Sequence, residues 1–259
     1  LTIETSKLEK VVLARAVEIE FPEAIDPRLV AARLIDLSAN RDGFIADLSP
    51  AGRPGAMLVG SSPEVLVKRQ GSTVSAFPLA GSSPRRAAAA EDHIAGQDLL
   101  HSAKDLHEHS FVVEHLRRVL SPLCERLDIP DTPQLISTNE MWHLGTPIFG
   151  TLKDKDLTAL ELALAAHPTP AICGTPAEAA QALIETAETD RGFYAGAVGW
   201  CDSSGDGEYM VAIRCAEVAG DGLSARAWAG GGIVGDSDAQ AELEETTAKL
   251  RTILKALSL

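Results

Sequence analysis

Apolar and polar positions alternate from Leu8 to Glu20, in a stretch rich in β-branched residues. This predicts a strand with Val11, Leu13, Val17 and Ile19 on one face and Lys10, Ala14 and Ala16 on the other. Asp26-Pro27 then reads as a cap and first helical turn, and Leu29, Val30, Arg33, Leu34 and Leu37 continue at helical spacing until Asn40. Short strands are expected near 44–48, 56–60, 63–69 and 73–79. The stretch 87–120 holds no proline or β-rich run and reads as one long helix or two, stopped by Ser121-Pro122. A mixed section at 133–152 precedes helical patterns at 156–166 and 176–188.

In the last third, segments 195–201, 207–218 and 222–229 are separated by Asp202-Ser-Ser-Gly-Asp-Gly207 and Gly220-Asp221-Gly222. Both separators are turn sequences, so the segments predict a three-stranded antiparallel meander. A glycine loop at 230–235 leads into a terminal helix, 238–257. Strands grouped with strands, and helices with helices, indicate an α+β fold of layered antiparallel sheets flanked by helices. Residues 1–259 show no internal repeat, low-complexity linker or domain boundary and read as one domain.

Composition narrows the functional classes. Of 259 residues 45% are hydrophobic, enough for a substantial core, which sets disordered and fibrous classes aside. Lys and Arg total 23 against 37 Asp and Glu, and the net charge of −14 repels nucleic acid and anionic membrane. Six Phe, three Trp and two Tyr are too few for a base-stacking platform. Cys124, Cys173, Cys201 and Cys215 form no CxxC, so they read as reduced thiols of a cytoplasmic protein rather than a disulfide framework or zinc ribbon. No apolar run reaches membrane-span length, and Leu1 begins neither a signal peptide nor an ordinary initiation site.

Two motifs are decoys. Gly230-Gly-Gly-Ile-Val-Gly235 fits GxGxxG, but no second parallel strand and ribose-binding acid can follow so near the chain end; it reads as a turn, either plain or placed against a ligand. His107-Glu108-His109 lacks the second histidine of HExxH, because Phe111 stands there, and its histidines read as solvated or core residues. Arg85-Arg86 reads as a solvated pair.

Asp105 and Glu108 share one helix face, and Glu242 and Glu245 repeat the spacing on another. Four such carboxylates suit a hard divalent cation, although acidic pairs at this spacing are also common on solvated faces.

Nine segments occur together in one order: Lys10-Val-Val-Leu-Ala-Arg15, Ser62-Pro-Glu64, Pro78-Leu-Ala-Gly-Ser82, Lys104-Asp-Leu-His-Glu-His109, Trp142-His-Leu-Gly-Thr146, His167-Pro-Thr-Pro170, Gly199-Trp200, Ile213-Arg-Cys215 and Ala229-Gly-Gly-Gly-Ile-Val234. With these the chain resembles the chorismate-utilising enzymes, and among them the isochorismate synthases. The resemblance implies Mg²⁺-dependent, reversible movement of the chorismate hydroxyl from C4 to C2. Lys10 would be the base that takes a proton from water, and Glu64 the acid that protonates the leaving hydroxyl. His143 matches a histidine beside the ring. Glu108 and Glu245 match metal ligands, with Asp105 and Glu242 as their neighbours. Gly81, Ser82, Thr169, Tyr194, Arg214, Gly230, Gly232 and Lys249 match substrate-binding positions, Arg214 and Lys249 holding carboxylate.

Lys10, where anthranilate synthases have glutamine, points to water rather than ammonia as nucleophile. Ala80 stands where aminodeoxychorismate synthases carry a nucleophilic lysine. Leu79 and Ser82 resemble isochorismate synthases, whereas Tyr194 leans toward the salicylate synthases, which go on to eliminate pyruvate. Ile172 and Tyr194 lie where pocket shape would divide these outcomes. The family has a long segment upstream of the Lys10 motif that contributes strands, so the chain reads as truncated at its N-terminus. A fragment that binds chorismate without turning it over is therefore the alternative to an active, monomeric enzyme. Isochorismate serves both siderophore and menaquinone synthesis.

Overall fold

The computed structural model describes residues 6–38 and 40–258. The long first strand forms as expected, β1 (Lys10–Glu20). Helix α1 (Pro27–Leu37) follows, with the Asp26 carboxylate accepting the Arg28 N–H at 2.9 Å and Pro27 in the first turn. It ends at Leu37, short of the expected stop at Asn40, which lies in an exposed turn; Leu1 and Leu259 lie outside the described residues.

Strands β2 (Phe44–Asp47), β3 (Met57–Gly60), β4 (Val65–Gln70) and β5 (Thr73–Phe77) come next. The run expected at 73–79 breaks at Pro78, and β6 (Leu79–Pro84) enters a different sheet. Proline has no N–H to give a ladder, so the chain changes sheets there. The acidic helical stretch is two helices, α2 (Ala89–His101) and α3 (Ala103–Leu120). Ser102 divides them: it is extended, and its hydroxyl caps α3 at the Asp105 N–H. The mixed section resolves into β7 (Cys124–Asp128), β8 (Gln134–Ser137), β9 (Met141–Gly145) and β10 (Ile148–Leu152). Helix α4 (Ala159–Ala166) starts in a Thr158–Glu161 capping box. The two-residue strand β11 (Gly174–Thr175) and helix α5 (Ala177–Ala187) complete this part.

The expected meander is not formed. Residues 207–218 split into β13 (Gly207–Val211) and β14 (Cys215–Val218), so β12 (Ala197–Cys201) with β13 makes one hairpin and β14 with β15 (Ser224–Ile233) another, in different sheets. The break is a corner ending at Arg214, whose φ of 51° is left-handed, a conformation that costs a side-chain-bearing residue about 1–3 kcal/mol. The glycine loop is corrected too: Gly230–Gly232 belong to β15 and pair with Ala14, Leu13 and Val12. Helix α6 (Ala239–Ala256) follows, capped by Asp238.

All strand pairs are antiparallel. The described residues form a six-stranded sheet β11-β1-β15-β14-β3-β2, a second of order β12-β13-β4-β5-β10-β7, and a three-stranded sheet β6-β9-β8. Helices α1 and α6 cover the first sheet, where Val30, Leu34, Leu250 and Ile253 pack on Ala216, Val218 and Ala227. Helix α5 packs on Val11 and Leu13 through Ala180 and Ile184. The sheets' inner faces meet in the largest apolar cluster, which holds Val67, Val74, Val211 and Trp228 with Leu116 of α3 and Leu162 of α4. The face of β1 carrying Ala14 and Ala16 turns toward this cluster, and Val17 and Ile19 turn away, as the alternation predicts. Among the described residues no helix is long and apolar enough to cross a membrane.

Candidate active site

A cleft opens where the three sheets meet α3 and α6. Its walls include Glu64, Gly81, Ser82, Glu108, His143, Tyr194, Arg214, Gly230, Gly232, Glu245 and Lys249, so topology gathers eleven of the expected site residues from distant parts of the chain. Lys10 lies just behind this wall. It is fully buried, its Nζ is 2.9 Å from Glu108 Oε1, and the Nζ makes no directed hydrogen bond among the described residues.

The glycines of β15 explain how charged side chains come so near a strand. A methyl group on Gly232 would overlap Glu108 Oε1 and crowd Lys10 Cε, and one on Gly231 would touch Glu242 Oε2. Gly81 is held at φ 78°, against Asp105 and Leu144, where a side chain would be strained.

Burial shifts the cleft's ionisable groups. Glu64 sits after the Ser62–Pro63 turn, and desolvation raises its carboxyl from the ordinary 4.5 to about 7, against the opposing pull of the Leu79 N–H, Lys10, Lys249 and Arg214. Burial, aided by Arg214 and Lys249, pushes His143 well below the usual histidine range. His143 Nε2 then accepts a hydrogen bond from Arg214 Nη2 at 3.2 Å. Burial also lowers the Arg214 guanidinium from its ordinary value. Lys249 bridges the Gly230 carbonyl at 2.9 Å and Glu245 at 2.5 Å. Burial of Glu245 is outweighed by Lys249, Ser82 and Lys104, so its carboxyl lies below the usual range. Desolvation raises Tyr194, whose ring stacks on Trp228 at 6.0 Å.

Besides Lys10, three expected site residues stand outside this cleft. Thr169 is buried, its carbonyl accepting the Ile172 and Cys173 N–H groups, so it shapes the turn that presents Ile172. Asp105 and Glu242 line a neighbouring cavity that shares Ser82 and Glu245 with the cleft. The expected four-carboxylate cage is not assembled: among the described residues no three His, Cys, Asp or Glu side chains are grouped to hold one ion. Instead Glu108 pairs with Lys10, Glu245 with Lys249, and Glu242 with Lys104 at 2.8 Å, because buried carboxylates demand a counter-charge. The donors still fit a hard divalent ion. Glu108 and Glu245 face one cleft, with Glu242 against the same side-chain-free stretch of β15, and all are oxygen ligands.

His109 is a core histidine, held by the Ala80 carbonyl at 3.0 Å and the Thr146 hydroxyl at 2.7 Å. Arg85 corrects the solvated-pair reading: it binds Asp92 through Nε and Nη2 and lies 4.4 Å over the Trp142 ring, while Arg86 remains exposed. The four cysteines are free. Sequence reasoning gave no role to Trp228, Ala171 or Val12 in the cleft wall. Trp228 reaches Tyr194 only through sheet packing, and no local pattern marks it.

A buried acid held protonated near neutrality, an amine behind a glycine wall and two cationic side chains define an enzyme site for acid–base chemistry on a small carboxylate-bearing substrate. The sequence matches the family described as chorismate binding enzyme over residues 1–258, and the chain belongs to that family. The MenF protein of Mycobacterium tuberculosis is 52% identical over 96% of this chain and 68% of its own length. The isochorismate synthase DhbC of Bacillus subtilis is 45% identical over 98% of this chain and 64% of its own. The crystal structure of DhbC from Bacillus anthracis matches with a TM-score of 0.95 at 43% identity, covering 99% of this chain and 68% of that one. The chain thus spans about two thirds of the length of these relatives.

Proposed function

We propose that this chain, acting as one catalytic domain, interconverts chorismate and isochorismate, with water adding at C2 as the C4 hydroxyl departs. The observation that carries this reading is Glu64, whose carboxyl rises to about 7 in the cleft that Lys10 borders. A carboxyl that keeps its proton near neutrality can give it to a leaving hydroxyl. Lys10, on the glycine-lined side, takes the proton of the attacking water in its neutral amine form, which requires that it first give up the proton with which it pairs Glu108. Arg214 and Lys249 supply fixed positive charge for the substrate's carboxylates, and His143, kept neutral, orients Arg214 through its Nε2. Gly81, Gly230 and Gly232 let the ring approach the backbone. Glu108 and Glu245, with Asp105 and Glu242 beside them, are the residues that would hold Mg²⁺. The ion would offset the charge of a ring carboxylate and fix its position.

Tyr194 in the cleft wall favours a second reading, in which isochorismate loses pyruvate to give salicylate before release. The test is incubation of the purified chain with chorismate, with and without Mg²⁺, and chromatography of the products. Isochorismate formed only with Mg²⁺ supports the proposal. Accumulating salicylate replaces it with the second reading, and unchanged chorismate with retained binding makes the chain a chorismate-binding fragment.

A further inference from the structure

Beyond β11, the edge of β1 opposite β15 pairs with no strand among the described residues, and two side chains meet its polar groups. Val12 donates its N–H to the Cys173 carbonyl at 2.8 Å. The next two groups on that edge are taken by residues just past α5: the Val12 carbonyl accepts from Arg191 Nη2 at 2.7 Å, and the Ala14 N–H donates to Glu188 Oε1 at 2.7 Å. Glu188 and Arg191 are themselves locked in a two-bond fork, at 2.7 Å from Nε to Oε2 and 2.6 Å from Nη2 to Oε1. Arg191 Nη1 donates to the Ile172 carbonyl at 2.8 Å, and its guanidinium lies 5.9 Å over the Tyr194 ring.

The side chains of Arg191 and Glu188 are 15% and 6% exposed respectively, and neither lines the cleft. Every segment they hold does. Val12 on β1 and Ile172 and Tyr194 in two separate turns are cleft-wall residues, and Val12 follows Lys10 by two positions. A guanidinium is the one side chain that can satisfy a carboxylate fork and two carbonyls at once in a fixed plane; a lysine offers a single point of attachment.

We propose that Glu188 and Arg191 are positioning residues for the reaction, satisfying the edge of β1 and setting the distance between β1 and the Ile172–Tyr194 wall. The proposal rests on the chorismate reading for its kinetic arm alone; its structural arm stands by itself.

The test compares Arg191→Lys, Glu188→Gln and the double variant with the parent chain. In Arg191→Lys, kcat for chorismate falls about 10- to 100-fold while KM stays within about threefold, because a displaced wall misaligns bound substrate more than it weakens binding. Charge conservation does not rescue it. The double variant is no worse than Arg191→Lys, as expected of one network. In the same variant, amide exchange at Ala14 accelerates about tenfold or more, while exchange at Leu13, which lies in the β1–β15 ladder, is unchanged. A folded Arg191→Lys with parental kcat overturns the kinetic role, and so does an activity loss that merely tracks the folded fraction. Parental Ala14 exchange overturns the proposal outright. If the parent chain leaves chorismate untouched, the functional reading has failed, and Ala14 exchange together with the near-UV signal of the Tyr194–Trp228 stack decides the positioning role.

Discussion

Two buried ionic networks in this chain follow opposite rules. Around Asp92, every charge is answered: Arg85 bonds the carboxylate, Arg86 donates its N–H at 2.7 Å, and the Trp142 indole donates at 3.1 Å. These bonds, Arg85 first, pull the Asp92 carboxyl down to about 2. Around Glu64, burial exceeds what the neighbours return, and the carboxyl rises to about 7. Lys10, Lys249 and Arg214 act on it only from a distance, and its hydrogen-bonding aid is the Leu79 backbone N–H. The first network fastens α2 to the β6–β9 sheet. The second leaves an acid ready to donate and a histidine held neutral, a state with little value for stability and direct value for proton transfer.

The sharpest way to test this contrast is to remove the cleft's reactive groups. Lys10→Ala and Glu64→Ala each lower chorismate turnover by about 10²- to 10⁴-fold, with binding still measurable by calorimetry. Full activity in either variant removes that residue from the mechanism. Gly232→Ala, which drives a methyl group into Glu108 Oε1, lowers turnover about 10²-fold and weakens Mg²⁺ binding by titration calorimetry. Parental Mg²⁺ affinity would show that Glu108 has no part in holding the ion.

The pH dependence follows from the shift. Turnover that needs protonated Glu64 declines as pH rises through about 7, and loses about tenfold per further unit. For stability the sign is that of a raised carboxyl: the contribution of Glu64 is full below its ordinary 4.5 and is lost as pH climbs to about 7. Glu64→Gln therefore gains stability relative to the parent between pH 5 and pH 8 in denaturant melts; equal differences at both ends would contradict the raised value. Asp92→Asn has the smallest effect on catalysis, leaving kcat per folded molecule unchanged. Its carboxyl is lowered, so its stabilisation is present above the ordinary 3.8 and is lost as pH falls through about 2. The variant's melting temperature should drop at pH 7 and converge on the parent's in strong acid.

Local patterns made β1, α1, α4 and α6 legible, because alternation, capping residues and helical spacing act within a few positions. Glu64 and Lys10 were legible only as members of motifs, since a glutamate after a turn and a lysine on a strand look ordinary by themselves. The meander was misread because the turn sequences around 202–207 and 220–222 are real, while the Arg214 corner between β13 and β14 carries no glycine or proline to announce it. Arg85 was misread because its partner Asp92 lies in the next helix and its ring partner Trp142 on a distant strand.

Sequence by itself determined the class of fold, the faces of β1, the helix starts and the inventory of acids, bases and glycines, all of which depend on near neighbours. Tertiary structure decided which of those groups are buried together. It placed Glu64 in one cleft with Arg214 and His143, set Lys10 against Glu108 across the bare surface of β15, and joined Arg191 to β1 and the Ile172 turn. Protonation and positioning arise from desolvation and charge summed over groups distant in the chain, and no local stretch of sequence contains that sum.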